Sequence, residues 1–279
     1  MSTDTIQPAD CFVRASHLAK EVELIRREMG RPSESRPAVT VTGASPRECW
    51  FQALAVFRKS DRLCSELAGD PVASVPYAPP IQNIVPGDVL KVIEAAAKEL
   101  AEVKRALGIS ESSDPPARDA GKQPSDVYGV LATVDRQINV LLERPFRPSD
   151  CFQQVSLAVA YAARLGAAPG ETPFARGKRP ADCYDRLTSC LELSRALVKK
   201  AGHPVIDKAP SAGDANSVLP SDVYDLATLV LGELAFLHGV RGNAQAPYPF
   251  EGNTPGKKLP SHVYQLAGVL ESQLQQLSR

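Results

Sequence analysis

The 279-residue chain has no surplus of either charge, because 32 basic and 32 acidic side chains cancel. Proteins that hold nucleic acid or an anionic membrane carry a clustered basic excess, so neither partner is expected. Apolar runs are short as well. The most apolar stretch, LATLVLGELAFL at 226–237, is interrupted by Glu233 and falls short of the roughly 18 residues a membrane span needs, so it reads as a buried helix. The opening MSTDTIQPADCF lacks a basic segment followed by an apolar one, the mark of a secretory leader. A cytoplasmic location is therefore expected as written, and a periplasmic or extracellular one if a signal peptide has been trimmed. Alternation of period two is confined to VTVTG at 39–43, which excludes a sizeable sheet.

Catalytic signatures are missing too. There is no GxSxG, no HExxH and no EF-hand loop. The GK pairs at Gly121, Gly177 and Gly256 lack the rest of a P-loop, since Lys122, Lys178 and Lys257 are followed by Gln, Arg and Lys where that loop needs Ser or Thr. They read as glycine turns bearing solvated lysines. The six cysteines form no CxxC pair and no ligand spacing with histidine, so no metal and no cofactor is expected. His17, His203, His238 and His262 are scattered and read as surface or helix-end residues.

What the chain has instead is repetition. GKQPSDVY, GKRPADCY and GKKLPSHVY belong to a set of eight related starts, with prolines at Pro8, Pro46, Pro86, Pro124, Pro148, Pro180, Pro220 and Pro260. Two residues after each proline stands Asp, Glu or, once, His; next comes Val or Cys, then usually an aromatic. Proline is pre-organised for the first position of a helix, and an acid in the first turn faces the positive end of the helix dipole. SPRE at 45–48 is a full capping box. Counting from the proline, positions +3, +7, +10, +14 and +17 are apolar or small in every copy, as in Val127, Leu131, Val134, Ile138 and Leu141. That spacing is one stripe of a helix. The fold class expected is all-α, with eight amphipathic helices of roughly 20 residues each.

A longer period overlies the short one. PADCF, PRECW, VPGDVL and QPSDVY match PSDCF, PADCY, LPSDVY and LPSHVY in order, and DPVASV resembles HPVIDK. A tandem duplication of a four-helix bundle unit follows, with residues 1–143 as the first unit, 144–279 as the second and ERPFRPSD as the joint. Most connectors are long, extended and rich in Pro and Gly, as in VPYAPP, ETPFARG and APYPFEG. An antiparallel pair needs only about 2 to 8 residues. A connector of about 16 residues reaches roughly 50 Å, enough to return along a helix, so either the helices of a unit lie parallel or they form an up-down bundle with long loops.

Cys11, Cys49, Cys151 and Cys183 occupy the +3 position that valine fills in the other copies, and so read as small buried thiols, with disulfides between neighbouring helices as the alternative. The aromatics Phe12, Trp50, Tyr128, Phe152, Tyr184, Tyr224 and Tyr264 either clamp an incoming connector or, if helix starts converge, line a ligand mouth together with Asp126, Asp182 and Asp222. No converging set of titratable groups points to an enzyme. The function expected is a non-catalytic interaction or scaffold protein with a protein partner. The alternative is a module binding or sensing a small polar molecule; duplicated four-helix units are similar in outline to the extracytoplasmic sensing domains of bacterial receptors.

Overall fold

The computed structural model describes residues 6–70, 72–73, 83–143, 146–207, 215–242, 245–250 and 256–279. Among them are eight α-helices and no strand. They are α1 (Pro8–Glu28), α2 (Pro46–Leu67), α3 (Pro86–Ala106), α4 (Pro124–Leu141), α5 (Pro148–Arg164), α6 (Pro180–Lys200), α7 (Pro220–Val240) and α8 (Pro260–Ser278). Every one begins on a proline of the motif. The run at 39–43 forms no strand and bends at Thr42 and Gly43. VPYAPP, at 75–80, lies outside the described residues.

The start chemistry is uniform. In each helix the side chain at +2 turns back and accepts the backbone N–H of the residue before the proline. Asp10, Glu48, Asp88, Asp126, Asp150, Asp182 and Asp222 do this through a carboxylate at 2.7–3.2 Å, and His262 does it through Nδ1 at 3.0 Å. One of the amides that a helix start leaves without a partner is thereby satisfied. The stops rely on glycine. Gly30 after α1 and Gly202 after α6 have φ of +60° and +82°, the left-handed turn that ends a helix and disfavours other residues.

The chain divides into two compact units, one of Met1–Pro79, Asn83–Arg144 and Ile206–Lys208, the other of Pro80–Gln82, Pro145–Val205 and Ala209–Arg279. In the first, α1 and α2 each pack on α3 and α4; in the second, α5 and α6 each pack on α7 and α8. Helix direction follows from the register of the contacts. Cys11 meets Pro86 near the starts of α1 and α3, and Glu21 meets Lys104 towards their ends. Likewise Cys183 meets Pro260, Cys190 meets Ala267 and Arg186 meets Glu271 between α6 and α8. These pairs are parallel.

Parallel neighbours force the chain to travel back between helices. After α1 it runs against α4: Arg136 donates to the Pro37 carbonyl at 3.1 Å, and the Ala44 amide donates to the Ser125 hydroxyl at 3.1 Å. Between them the chain lies so close that a Cβ on Gly129 would sit 2.5 Å from the Val39 carbonyl oxygen. After α3 it runs against α1, from Ser113 beside Glu21 to Arg118 beside Asp10. The second unit repeats this, with Thr172 accepting from Gln265 of α8 and Phe250 pairing its backbone with Ser156 of α5. Connector numbering rises as helix numbering falls, so each stretch is a return from helix end to helix start.

The core is the predicted stripe, with Val127, Leu131, Val134, Ile138 and Leu141 all at 1 % exposure or less. It carries a buried ion pair between helices, Lys59 of α2 with Asp135 of α4, whose side chains are 0 % and 2 % exposed. The Asp135 Oδ1 has no hydrogen-bond partner. Such a pair is sensitive to losing one member, because the remaining charge stays buried. Asp135→Leu alone is expected to cost about 3 to 5 kcal/mol, and Lys59→Met with Asp135→Leu far less. Urea denaturation of both variants checks this; equal losses would mean the pair is not coupled.

Candidate functional site

The predicted ligand mouth requires that helix starts converge, and they do. Pro8, Pro46, Pro86 and Pro124 surround one point at the end of the first unit, with Cys11, Cys49, Val89 and Val127 one layer below. Pro148, Pro180, Pro220 and Pro260 surround the equivalent point of the second, over Cys151, Cys183, Val223 and Val263. Each ring encloses only about 10 Å³. That is barely the room one water needs, and the lining offers it no polar side chain other than thiols. The rings are seals.

Thiols complete the seal in a way that valine cannot. Cys11, Cys49, Cys151 and Cys183 each lie 3.1–3.2 Å from the carbonyl oxygen of a partner helix's first residue, Pro86, Pro124, Pro220 and Pro260 respectively, and donate S–H to it. Cysteine therefore occupies the first two helices of each unit and valine the last two. All six cysteines are buried and free, which removes the disulfide alternative. Burial, and then the neighbouring helix-start acids, push the Cys11 and Cys183 thiols up to about 12. Burial also raises Cys49 and Cys151. Nucleophilic thiol chemistry needs the thiolate, so these groups are inert.

The rings of the motif lie away from the seal. Lys178 sits 4.3 Å over Tyr264 and Arg186 covers the same ring at 3.8 Å; Lys122 sits over Phe12 at 4.6 Å and Lys258 over Phe152 at 4.4 Å. In each case the lysine stands two residues before a helix-start proline, at the tip of a returning connector. The lysines of the first two GK pairs, read as solvated, are thus cation–π partners. Tyr224 meets Phe146 of the joint, with ring centroids 4.4 Å apart, and Trp50 meets Phe51 edge-on at 5.0 Å. Tyr128 is wholly buried and Tyr184 half-buried. Asp126, Asp182 and Asp222 face their own helix-start amides, and Asp126 and Asp182 also have Lys122 and Lys178 within 4.0 Å.

Position +13 escaped the sequence reading. Glu99 accepts the Val72 and Ala73 amides, Glu21 accepts the Ser113 amide, and Gln273 donates to the Ala167 carbonyl, so a polar residue here catches the chain as it turns back. Its signal was a polar side chain recurring beside the apolar stripe. His238, read as a surface or helix-end residue, is buried at 4 % exposure with its ring edge-on to Tyr161. Helix α7 is long and apolar enough to cross a membrane, yet 83 % of its apolar window is buried inside the protein.

No protein-family model, curated protein or solved structure matches the chain. Thiol chemistry supplies a check on the seal. Native protein is expected to resist a maleimide reagent at pH 8 and to take up six labels after denaturation in guanidinium. Fast labelling of Cys11 or Cys183 before denaturation would contradict the packing described.

Proposed function

We propose that the chain is a non-catalytic interaction protein, a tandem duplication of a parallel four-helix bundle whose connectors carry the contact surface. The observation behind this reading is the exposure of a connector aromatic: Tyr248 is 86 % exposed, in contrast to Phe174, which packs on His262 with ring centroids 5.1 Å apart. A ring as exposed as Tyr248 contributes little to its own fold, whereas aromatics are enriched among the residues that dominate protein interfaces. The sealed helix starts and the raised thiols add support, since they leave those ends without a reactive group or a mouth. A protein partner is accordingly favoured over a small polar molecule held at the helix starts.

The experiment is cross-linking mass spectrometry in the native cell with the full chain and with Tyr248→Ser. The same partner is expected from repeated native samples and should be reduced about tenfold in the variant, while the melting temperature stays within a degree or two. A partner recovered equally from both, or none at all, would remove the basis for this reading.

The duplication has its own test. Residues 1–143 expressed alone are expected to give a soluble helical fragment with one cooperative thermal transition. A fragment that becomes helical only when residues 144–279 are added would show a single shared core instead.

A further inference from the structure

Aligning the helices on their prolines turns the second unit into an internal control for the first, and the two differ sharply at one place. Between α1 and α3 there is a cleft of about 370 Å³. Its floor is Leu18 and Leu100, 2 % and 1 % exposed, and its walls carry Arg14, His17, Glu21 and Lys104. At the corresponding positions between α5 and α7 stand Gln154 for Arg14, Leu157 for His17, Tyr161 for Glu21, Leu231 for Ala97 and His238 for Lys104. There Tyr161 and His238 pack ring against ring at 5.2 Å, and Leu231 is 5 % exposed. The same framework closes this space in one unit with rings and leucine, and in the other leaves it open with charges around it. A need to fill a core does not explain the open version.

The charges are arranged unequally. Glu21 is already engaged: it accepts from Lys104 and from the amide and hydroxyl of Ser113. Burial acts to raise its carboxyl, but Lys104 and Ser113 outweigh burial and hold it below the usual range. Arg105, at the rim, pairs with Glu102. Arg14 makes no ion pair among the described residues; its Nη1 donates to His17 Nδ1 at 3.0 Å. His17 Nε2 lies 2.7 Å from the Ser113 carbonyl. A guanidinium has no acceptor and a carbonyl has no donor, so Nδ1 is bare and Nε2 carries the proton. Arg14 thus has one donor held by an imidazole whose Nε2 also lies 3.5 Å from the Glu21 carboxylate, and the rest of its planar fork of donors is left for an anion.

We propose that this cleft is a binding site for a monocarboxylate with an apolar body, the carboxylate paired with Arg14 and the body laid on Leu18, Leu100 and Ala97. A single charge fits because Arg14 has no carboxylate partner among the described residues while Glu21 stands nearby to oppose a second. The volume lies in the range of small-molecule sites, and apolar walls with a few placed polar groups are their usual make-up. This site is independent of the connector surface proposed above, and its test does not read partner binding.

Isothermal titration of the full chain with sodium octanoate tests it, with octanamide and octyl phosphate as comparison probes. Octanoate is expected to bind saturably, one molecule per chain, and at least about tenfold more tightly than octanamide. Arg14→Gln should weaken octanoate about tenfold and leave octanamide unchanged, which is the loss of roughly 1.4 kcal/mol. Ala97→Leu, which copies Leu231, should exclude both probes without lowering the melting temperature. The proposal is overturned by no saturable binding of octanoate, by octanamide binding equally well, by octyl phosphate binding more tightly, or by octanoate affinity that survives both substitutions.

Discussion

Bringing four helix starts to one point is electrostatically adverse, and the rest of this structure depends on how that is offset. Each start carries roughly half a positive charge and amides with no helical partner. Four of them stand side by side around a ring of prolines. The side chain at +2 answers both problems at once, since it accepts an amide hydrogen and, in seven of the eight helices, brings a negative charge. Proline at the first position helps by removing an amide that would otherwise need a partner. The motif that recurs along the chain is the local chemistry that makes a parallel arrangement tolerable.

Once the helices are parallel, the length of the connectors follows from geometry. A chain leaving the end of a helix about 30 Å long must come back that distance before the next can begin. It returns in extended form, and extended backbone on a surface needs hydrogen-bond partners along its path. The helices supply them at fixed heights: polar side chains at +13, a backbone or side-chain contact midway, and an aromatic at +4 where a lysine arrives in three of the described returns. Ser125 and Ser261, both one residue after their prolines, accept the amide two residues before the second helix of their own unit.

The helices were legible because their cause is local. Proline, an acid two residues on and a five-point apolar stripe act within one helix, and all eight boundaries at the starts agree with that pattern. Direction was not legible, since both a parallel and an up-down order bury the same stripe; only the cross-helix register, such as Cys190 against Ala267, decides it. Residues whose partners come from elsewhere in the chain were harder still. Lys122 and Lys178 look solvated until the ring beneath each is located, and cysteine looks interchangeable with valine until the proline carbonyl opposite its thiol is seen. Arg14 could not be singled out at all, because its distinction is the lack of a carboxylate beside it.

Two halves with one plan also show what a plan leaves free. The features needed to bring parallel starts together recur in both: the proline, the side chain that caps the amide, the thiols on the first two helices, the lysine over a ring. The features that differ lie towards the helix ends, away from the sealed starts. There the first unit holds the Lys59–Asp135 pair and the Glu21–Lys104 pair, and the second holds Tyr161 against His238. Replacing a buried charge pair by well-packed apolar groups is often neutral or stabilising, so stability alone gives no reason to keep the Lys59–Asp135 pair. The helix starts are held by the physics of the fold, and the charges around the cleft of the first unit are not repeated at the matching positions of the second.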